Sequence, residues 1–494
     1  MDEKGLTKQK IFAELSRSPH GKLAEYVPVG REALKQEDEF FQHLIAWNAR
    51  NGQIRDSKVA LPVLGLAFEN DKELVDNSLA HLAKLNPREL LKAFMFMREL
   101  RPAGRMMTMD RLVRDYLHQL EGSRGWDHVA VQHMKVLRSL YAYARVKPTS
   151  DRVKAVLFGQ IEKHGPKMPP PKGSVFEAVA NLKKMTSTEA AGAIVKFKIP
   201  FLIAAGALEE RVKETDLLLA LIERMSPTEL TSNVKMLEKF GMKSNPALRG
   251  AFDKALEKAA LSKQNTLKTT QAVDAVEDEA LKERLRGLQK KQIAAAGGPE
   301  GDWLVLADKS GSMASAIEIA RHVASSLATF VKGKVYLVFF DTAPMTVDVT
   351  GLSLDQIQKA TRHIKADGGT SIGCGLNRML QEKIALDGIA IVSDGGENTA
   401  PRFADVYKKY AAFVDKDLPV YFYDVYGDTH FTQSLNQAGI EMQKFDVRGN
   451  VDYYSIPNLV QTMRSNRYSL VDEIMATPLL SLSDVLKTQE LVGV

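Results

Sequence analysis

"DWLVLADKSGSMAS", residues 302–315, contains a short apolar run from Trp303 to Ala307 that ends on an acid, Asp308. Hydroxyls follow at Ser310 and Ser312, with Gly311 between them. An apolar run of this length, bounded by turn residues, reads as a strand buried on both faces. A loop with a carboxylate and two hydroxyls at alternate positions can point three oxygens to one side, and Gly311 lets the backbone bend sharply there. Oxygen-only donors suit a hard cation, so Mg²⁺ or another divalent cation is the expected occupant.

The neighbouring sequence repeats the theme. "GKVYLVFFD" (333–341), "DGIAIVSD" (387–394) and "LPVYFYDVYG" (418–427) are short runs rich in Val, Ile, Phe and Tyr. Helical segments separate them, such as "SAIEIARHVASSLATFV" (315–331) and "TSIGCGLNRMLQEKI" (370–384). Strand alternating with helix predicts a doubly wound α/β sheet, mostly parallel, with "FFDTAPMTVDV" (339–349) turning back as an antiparallel edge hairpin. Ligands of such sheets bind beyond the carboxyl ends of the strands. Further oxygens are therefore expected from Thr370 in "DGGTSIG" and Asp394 in "IAIVSDGGEN", both beside Gly pairs, while Lys309 sets a cation beside the acids.

Upstream the character is different. From residue 30 to about 290, apolar residues recur at three-and-four spacing, as in "PRELLKAFMFMREL" (87–100), "AVQHMKVLRSLYAYARV" (130–146) and "KETDLLLALIERM" (213–225). Asn86-Pro87 with Glu89 and Ser226-Pro227 with Glu229 are helix starts, and "KPTSD" (147–151) and "SNP" (244–246) are breaks. Many amphipathic helices with short connections suggest an α-solenoid of stacked helix pairs, although no fixed-period repeat is visible. One loop, "KHGPKMPPPKGS" (163–174), is Pro-rich and basic. The charged stretch 278–301 runs into Gly-Gly-Pro and marks the boundary. The expected order is a helical domain over 1–290, a linker over 291–300, an α/β domain over 301–468, and a tail over 469–494. The tail would pack back on the body or dock a partner.

The 494 residues are 45% hydrophobic and 26% charged, an ordinary globular balance. The opening "MDEKGLTKQK" lacks the apolar core of a signal peptide, and no apolar run approaches a membrane span. Cys374 is the only cysteine, which leaves no disulfide framework and suggests a reducing, cytoplasmic setting. The net charge of +6 is unevenly spread: residues 1–300 hold 49 Lys and Arg against 38 Asp and Glu, residues 301–494 hold 18 against 23, and residues 101–200 alone hold 18 against 8. An excess that local points to an anionic partner, of which nucleic acid is the commonest large one.

Asp308, Ser310, Ser312, Thr370 and Asp394 together resemble the metal-ion-dependent adhesion site of the von Willebrand factor A family. The resemblance implies that the two acids act largely through water, that the Ser and Thr hydroxyls touch the metal, and that a ligand supplies the last oxygen. The two halves together resemble the Ro ribonucleoprotein family, whose TROVE module is a ring of HEAT-like helical repeats closed by an A domain. The matching stretches are "GRMMTMDRLVRDYLHQ" (104–119), "VLRSLYAYARVKPTSDRVKAVLFGQI" (136–161) and "LLLALIERMSPTELTSNVKMLEKFGM" (217–242), followed in order by the A domain. The charged segment 263–293 stands where the family has a His-Pro-Phe-like stretch. Gly125-Trp126-Asp127-His128 falls too early to be the family's Gly-Trp-x-His, so His128 is not carried over.

This resemblance implies RNA as the partner: ends of misfolded non-coding RNAs and stem-loop, Y-type RNAs, with no DNA partner expected. Arg101, Arg105, Arg111 and Arg114 are spaced to fall near one face of a helix or its entry, and Lys135, Arg138, Arg145 and Lys147 belong to the next basic helix. Lys183 and Lys184 extend the surface. Such cations bind phosphates without reading sequence. Tyr141 and Tyr143 are candidates for stacking on single-stranded bases, although Tyr in a helix is more often half-buried core. An enzymatic role is not expected, because there is no phosphate-cradling Gly-Lys loop, no HExxH, and no metal-ligand spacing among the ten histidines. Glu397 follows Asp394, but Ser and Thr ligands build a site for binding rather than for making hydroxide. Two functions remain open: a Ro-type RNA scaffold serving RNA quality control or tethering a nuclease, and a Mg²⁺-dependent module that grips a partner's carboxylate, with an AAA+ ATPase as one such partner.

Overall fold

The computed structural model describes residues 22–51, 55–102, 104–160, 166–260, 301–311, 313–427, 430–447 and 467–487, with isolated positions between 8 and 15 and between 272 and 288. The chain divides into two compact units, Met1–Pro19 with Ile293–Ile474 and His20–Gln292 with Met475–Val494. The linker expected at 291–300 and nearly all of the charged segment 263–293 lie outside the described residues.

The helical unit opens with α1 (Tyr26–Gln36), α2 (Asp38–Asn51), α3 (Arg55–Phe68), α4 (Lys72–Ala83) and α5 (Pro87–Leu100). It continues with α6 (Arg105–Gly122), α7 (Trp126–Tyr143), α8 (Asp151–Phe158), α9 (Val175–Asn181), α10 (Ser187–Lys196) and α11 (Phe201–Leu208), then α12 (Thr215–Arg224), α13 (Pro227–Ser232), α14 (Val234–Lys239) and α15 (Pro246–Ala260). The caps read from sequence form as expected. Asn86 accepts from the N–H groups of Arg88 and Glu89, and Ser226 accepts from that of Glu229, each closed by the Glu side chain as a capping box. Helices touch the next but one along the chain: α1 lies on α3, α2 on α4, α3 on α5, α5 on α7, α10 on α12 and α13 on α15. Stacked helix hairpins produce this pattern, because each hairpin buries its apolar stripe against the following one.

The second unit holds β1 (Trp303–Asp308), α16 (Ala314–Phe330), β2 (Val335–Phe340), β3 (Pro344–Asp348), α17 (Leu354–Thr361) and α18 (Gly373–Gln381). They are followed by β4 (Gly388–Ser393), α19 (Phe403–Val414), β5 (Val420–Asp424), α20 (His430–Gln437) and β6 (Met442–Asp446). The sheet order is β3-β2-β1-β4-β5-β6, parallel throughout except for β3, which pairs antiparallel with β2 as the edge hairpin. Side chains along β1 alternate between two cores: Trp303, Val305 and Ala307 pack with α16 and α17, while Leu304 and Leu306 pack with α18, α19 and α20. A strand buried on both sides needs an uninterrupted apolar run, and that is what the sequence supplies. The order reverses at β1, which lies between β2 and β4, so a crevice opens past the carboxyl end of β1.

The last elements are α21 (Arg467–Met475) and α22 (Leu482–Lys487). The segment after α21 packs on the helical unit. His43 Nδ1 lies 2.7 Å from the Thr477 carbonyl, the Leu480 N–H donates to Asn77 Oδ1 at 3.0 Å, and α22 lies along α4. Of the two fates expected for the tail, packing on the body is the one observed.

Candidate metal centre and nucleic-acid interface

Asp308 sits at the carboxyl end of β1, fully buried, with Phe340 of β2 beside it in register. Its Oδ1 accepts the Ser310 N–H at 2.9 Å and its Oδ2 accepts the Ser393 hydroxyl at 2.6 Å. Ser393 ends β4 and accepts in turn from the Gly395 N–H at 3.0 Å. Burial pushes the Asp308 carboxyl up and the nearby Asp394 adds to the push, against the pull of the Ser393 and Ser310 hydrogen bonds. Asp394 is partly exposed, with its Oδ1 held by the Gly396 N–H at 2.8 Å.

Thr370 is buried on the third loop. Its N–H donates to Asn398 Oδ1 at 3.1 Å, and its carbonyl accepts from the N–H groups of Asn398 and Thr399 at 3.0 and 2.9 Å, tying it to the Asp394 loop. The Asp367 N–H donates to the Lys309 carbonyl at 2.7 Å, tying the same loop to the one after β1. Three loops thus bring Asp308, Ser310, Thr370 and Asp394 together at the reversal of strand order. Ser312 lies outside the described residues. Lys309 does not compete for the site, since its ammonium is bonded to Asp341 at the end of β2. Partial burial alone would raise the Asp341 carboxyl, but that bond and the backbone N–H groups of Ala343 and Thr342 bring it below its ordinary value.

Glu397 has a structural task. It accepts from the N–H of Gly373 at 3.0 Å and from that of Phe403 at 2.9 and 3.1 Å, so one carboxyl serves the first turns of both α18 and α19. Burial pushes it up to about 7, in spite of these bonds and the nearby Arg402.

The basic residues of the helical unit separate into groups. Arg111 and Arg114 are exposed one turn apart on α6, and Arg111 faces Asp115 at 3.9 Å. Arg101 and Arg105 do not share their face. Arg101 caps α5 and Arg105 begins α6, donating to the Glu69 carbonyl; at 3.6 residues per turn, positions 105 and 114 fall on opposite sides. Lys135 and Arg138 lie one turn apart on α7, with Arg145 and Lys147 exposed beyond its end. Arg138 is partly committed, because its Nε donates to the Leu157 carbonyl at the end of α8. Lys183 is paired with Glu209 at 2.6 Å. Among the described residues, the side chains of Arg101, Arg114, Lys135, Arg145, Lys147 and Lys184 are exposed and make no hydrogen bond or ion pair.

No family model matches the chain, and no curated protein matches it. Among solved structures it is similar to the crystal structure of the Deinococcus radiodurans Ro (RSR) protein, with a TM-score of 0.59 at 14% identity, over 92% of this chain and 99% of that one. The chain has the Ro fold. A helical unit followed by an α/β unit is the fold class that the resemblance implied, at an identity of only 14%.

On this Ro fold a cavity of 1310 Å³ is lined by Lys135 and Arg138 of α7, by Arg88 at the start of α5, by Pro169–Pro171, and by Phe158 and Leu202. Arg88, His128 and His133, which the sequence reading did not select, line it too. His133 carries the kink of α7, with φ −122° and ψ 22°. Burial pushes both imidazoles below their ordinary value. The signal for this cavity was the basic Pro-rich loop 163–174, which forms one wall, with 163–165 outside the described residues. Tyr141 is not available for stacking: it is buried and its hydroxyl donates to Glu121 at 2.5 Å. Tyr143 is half-exposed, with the Arg98 guanidinium carbon 5.6 Å from its ring centre.

Proposed function

We propose that this chain is an RNA-binding scaffold of the Ro type that holds structured or misfolded non-coding RNA, Y-like RNA included, on the face built by α6, α7 and the residues just past α7. The observation that carries the reading is the group of exposed cations without carboxylate partners: Arg114, Lys135, Arg145 and Lys147, with Arg111 beside them. Held apart from carboxylates, such groups release counterions when they neutralise phosphates. The cavity next to Lys135 combines cations with exposed apolar side chains, Phe158 and Leu202, which suits an unstacked single-stranded segment. Service in RNA quality control or in tethering a nuclease, in the cytoplasm and without catalysis, follows from the same reading.

The α/β unit adds a companion activity. Asp308, Ser310, Thr370 and Asp394, together with Ser312, would hold Mg²⁺. The donor set fits the ion: the Asp308 carboxylate sits where burial disfavours its charge, the nearby Asp394 supplies a second carboxylate, and the Lys309 ammonium is engaged elsewhere. The bound cation would supply a positive centre able to take a carboxylate oxygen from a protein partner. The two activities reside in different units and are separable.

The test is a gel-shift titration with the full chain stripped of nucleic acid. A structured RNA with a single-stranded 3′ tail is compared with the same RNA lacking it, at low and high salt. The expected result is binding that needs the tail, weakens steeply with salt, and is lost when Arg111, Arg114, Lys135 and Lys147 are reversed to Glu. Absence of binding at low salt sinks the RNA reading. A pull-down that depends on Mg²⁺ and on Asp308 then tests the companion activity alone.

A further inference from the structure

A second cavity, of 760 Å³, lies at the start of α6, apart from the exposed arginines farther along that helix. Arg31, Arg101 and Arg105 line it with Asn70, Thr108 and Phe68, and no carboxylate is among its lining residues. All three guanidinium-bearing residues are placed by the fold. The Arg31 guanidinium carbon stands 4.2 Å from the centre of the Phe68 ring. Arg105 donates to the Glu69 carbonyl, which leaves its other donors for a ligand. Arg101 adopts a left-handed backbone, φ 46° and ψ 48°, a conformation that an L residue with a Cβ takes only under constraint.

The electrostatics of this place are one-sided. α6 begins after Gly104, which supplies no side chain to cap the helix, and its first turn carries no acid. The helix end therefore adds its own partial positive charge to that of the three arginines. The Glu69 carboxylate does not line the cavity; its Oε1 accepts from the N–H groups of Asn70 and Asp71 at 2.7 and 3.0 Å. Three like charges kept close together in the folded state repel one another, and a multivalent anion relieves that repulsion. The planar donor fork of arginine matches the oxygens of a phosphate group. A bridging diester carries one charge and two free oxygens, whereas a phosphomonoester carries up to two charges and three free oxygens. The volume exceeds that of a phosphate group alone and leaves room for a nucleoside.

We propose that this cavity binds a phosphomonoester dianion, presented either by the terminal phosphate of an RNA strand or by a free mononucleotide. The proposal goes beyond the RNA reading and does not require it, since one arm of its test contains no RNA.

The full chain is titrated calorimetrically with adenosine 5′-monophosphate and, separately, with adenosine. In parallel, one RNA sequence bearing a 5′-phosphate or a 5′-hydroxyl is compared by gel shift. The expected result is saturable binding of the monophosphate but not of adenosine, weakened at least about tenfold by Arg31→Gln and Arg101→Gln. Arg101→Gly guards against misfolding as the cause: it removes the guanidinium while suiting the left-handed backbone, so it loses the ligand at unchanged or higher thermal stability. A roughly tenfold preference for the phosphorylated RNA that Arg31→Gln abolishes, with the hydroxyl RNA still bound, identifies the RNA terminus as the source. Equal binding of both RNAs with the monophosphate still bound identifies a free nucleotide. If neither RNA binds, the RNA reading fails, and the monophosphate titration alone decides for or against the cavity. No binding of the monophosphate and no preference between the RNAs overturns the proposal.

Discussion

Ser393 is the residue through which β4 positions Asp308, since its hydroxyl meets the buried Oδ2 at 2.6 Å. It was not among the expected ligands, because nothing in "IAIVSDGG" distinguishes a serine that holds a carboxylate from one that only ends a strand. Groups that orient metal ligands from the second sphere typically contribute 10- to 100-fold in affinity. Ser393→Ala is therefore expected to weaken Mg²⁺ binding by about that factor while leaving the fold intact. Calorimetric titration with Mg²⁺ checks it, and an unchanged affinity would remove Ser393 from the site. His81 shows a different use of burial. Desolvation, with Lys84 and Arg50 adding to it, pushes its imidazole down to about 4 from an ordinary 6.5. Between those values the unfolded chain binds a proton that the folded chain does not. Stability is thus fully present above about pH 6.5 and is lost as the pH falls toward 4, by about 3 kcal/mol in all. His81→Leu is expected to flatten that slope in denaturant titrations across the window. A slope as steep as in the parent chain would show that another group carries the acid sensitivity.

At the scale of elements, glycine sets how closely helices and strands approach. A Cβ on Gly388 would lie 2.4 Å from the Trp303 ring, and a Cβ on Gly375 would lie 2.4 Å from Leu306 Cδ2. Gly388→Ala therefore has to displace a fully buried indole on the neighbouring strand. The expected cost is about 1–3 kcal/mol, read as a lower denaturation midpoint of the α/β unit with little change in the helical unit. A loss below about 0.5 kcal/mol would mean that Trp303 has room to turn aside. The same unit shows what periodicity can and cannot disclose. The strands, the edge hairpin and the capping boxes were legible because each is fixed within a dozen residues, by alternation, by an apolar run or by a Ser-Pro-x-Glu spacing. The split of the four arginines was not legible. Spacing put the four near one face of a helix or its entry, and it could not show that Arg105, at the entry, is bonded to the Glu69 carbonyl just past the end of α3, 36 residues away. Tyr141 is core, as a Tyr in a helix more often is, but its partner Glu121 on the preceding helix was not readable from spacing. Of the candidate metal site, the order of oxygens along the chain was readable; the hydrogen bonds that knit the three loops were not, because they join residues tens of positions apart.

At the scale of the whole molecule, the end of the chain returns to its beginning. Asp76 and Asn77 of α4 accept from the backbone N–H groups of Leu482 and Leu480, at 3.0 Å each, and His43 meets the Thr477 carbonyl, across more than 400 residues of sequence. Asn77 also donates to Gln42 Oε1 at 3.0 Å, so the tail joins a buried polar network between α2 and α4. Val485 is buried in the same packing. Removing residues 476–494 would expose that apolar contact and leave Asn77 Oδ1 without its partner, a change worth several kcal/mol by ordinary burial and hydrogen-bond values. The loss belongs to the helical unit, because every contact named here is made within it. Hydrogen exchange on the truncated chain should therefore show faster exchange of α2 and α4 amides, with those of β1 and β4 unchanged. If the α4 amides keep their protection, the tail is a passive passenger. If they lose it and RNA binding weakens in parallel, the carboxyl-terminal segment contributes to function by holding α2 and α4 in place, at a distance in sequence from every cation proposed to touch RNA.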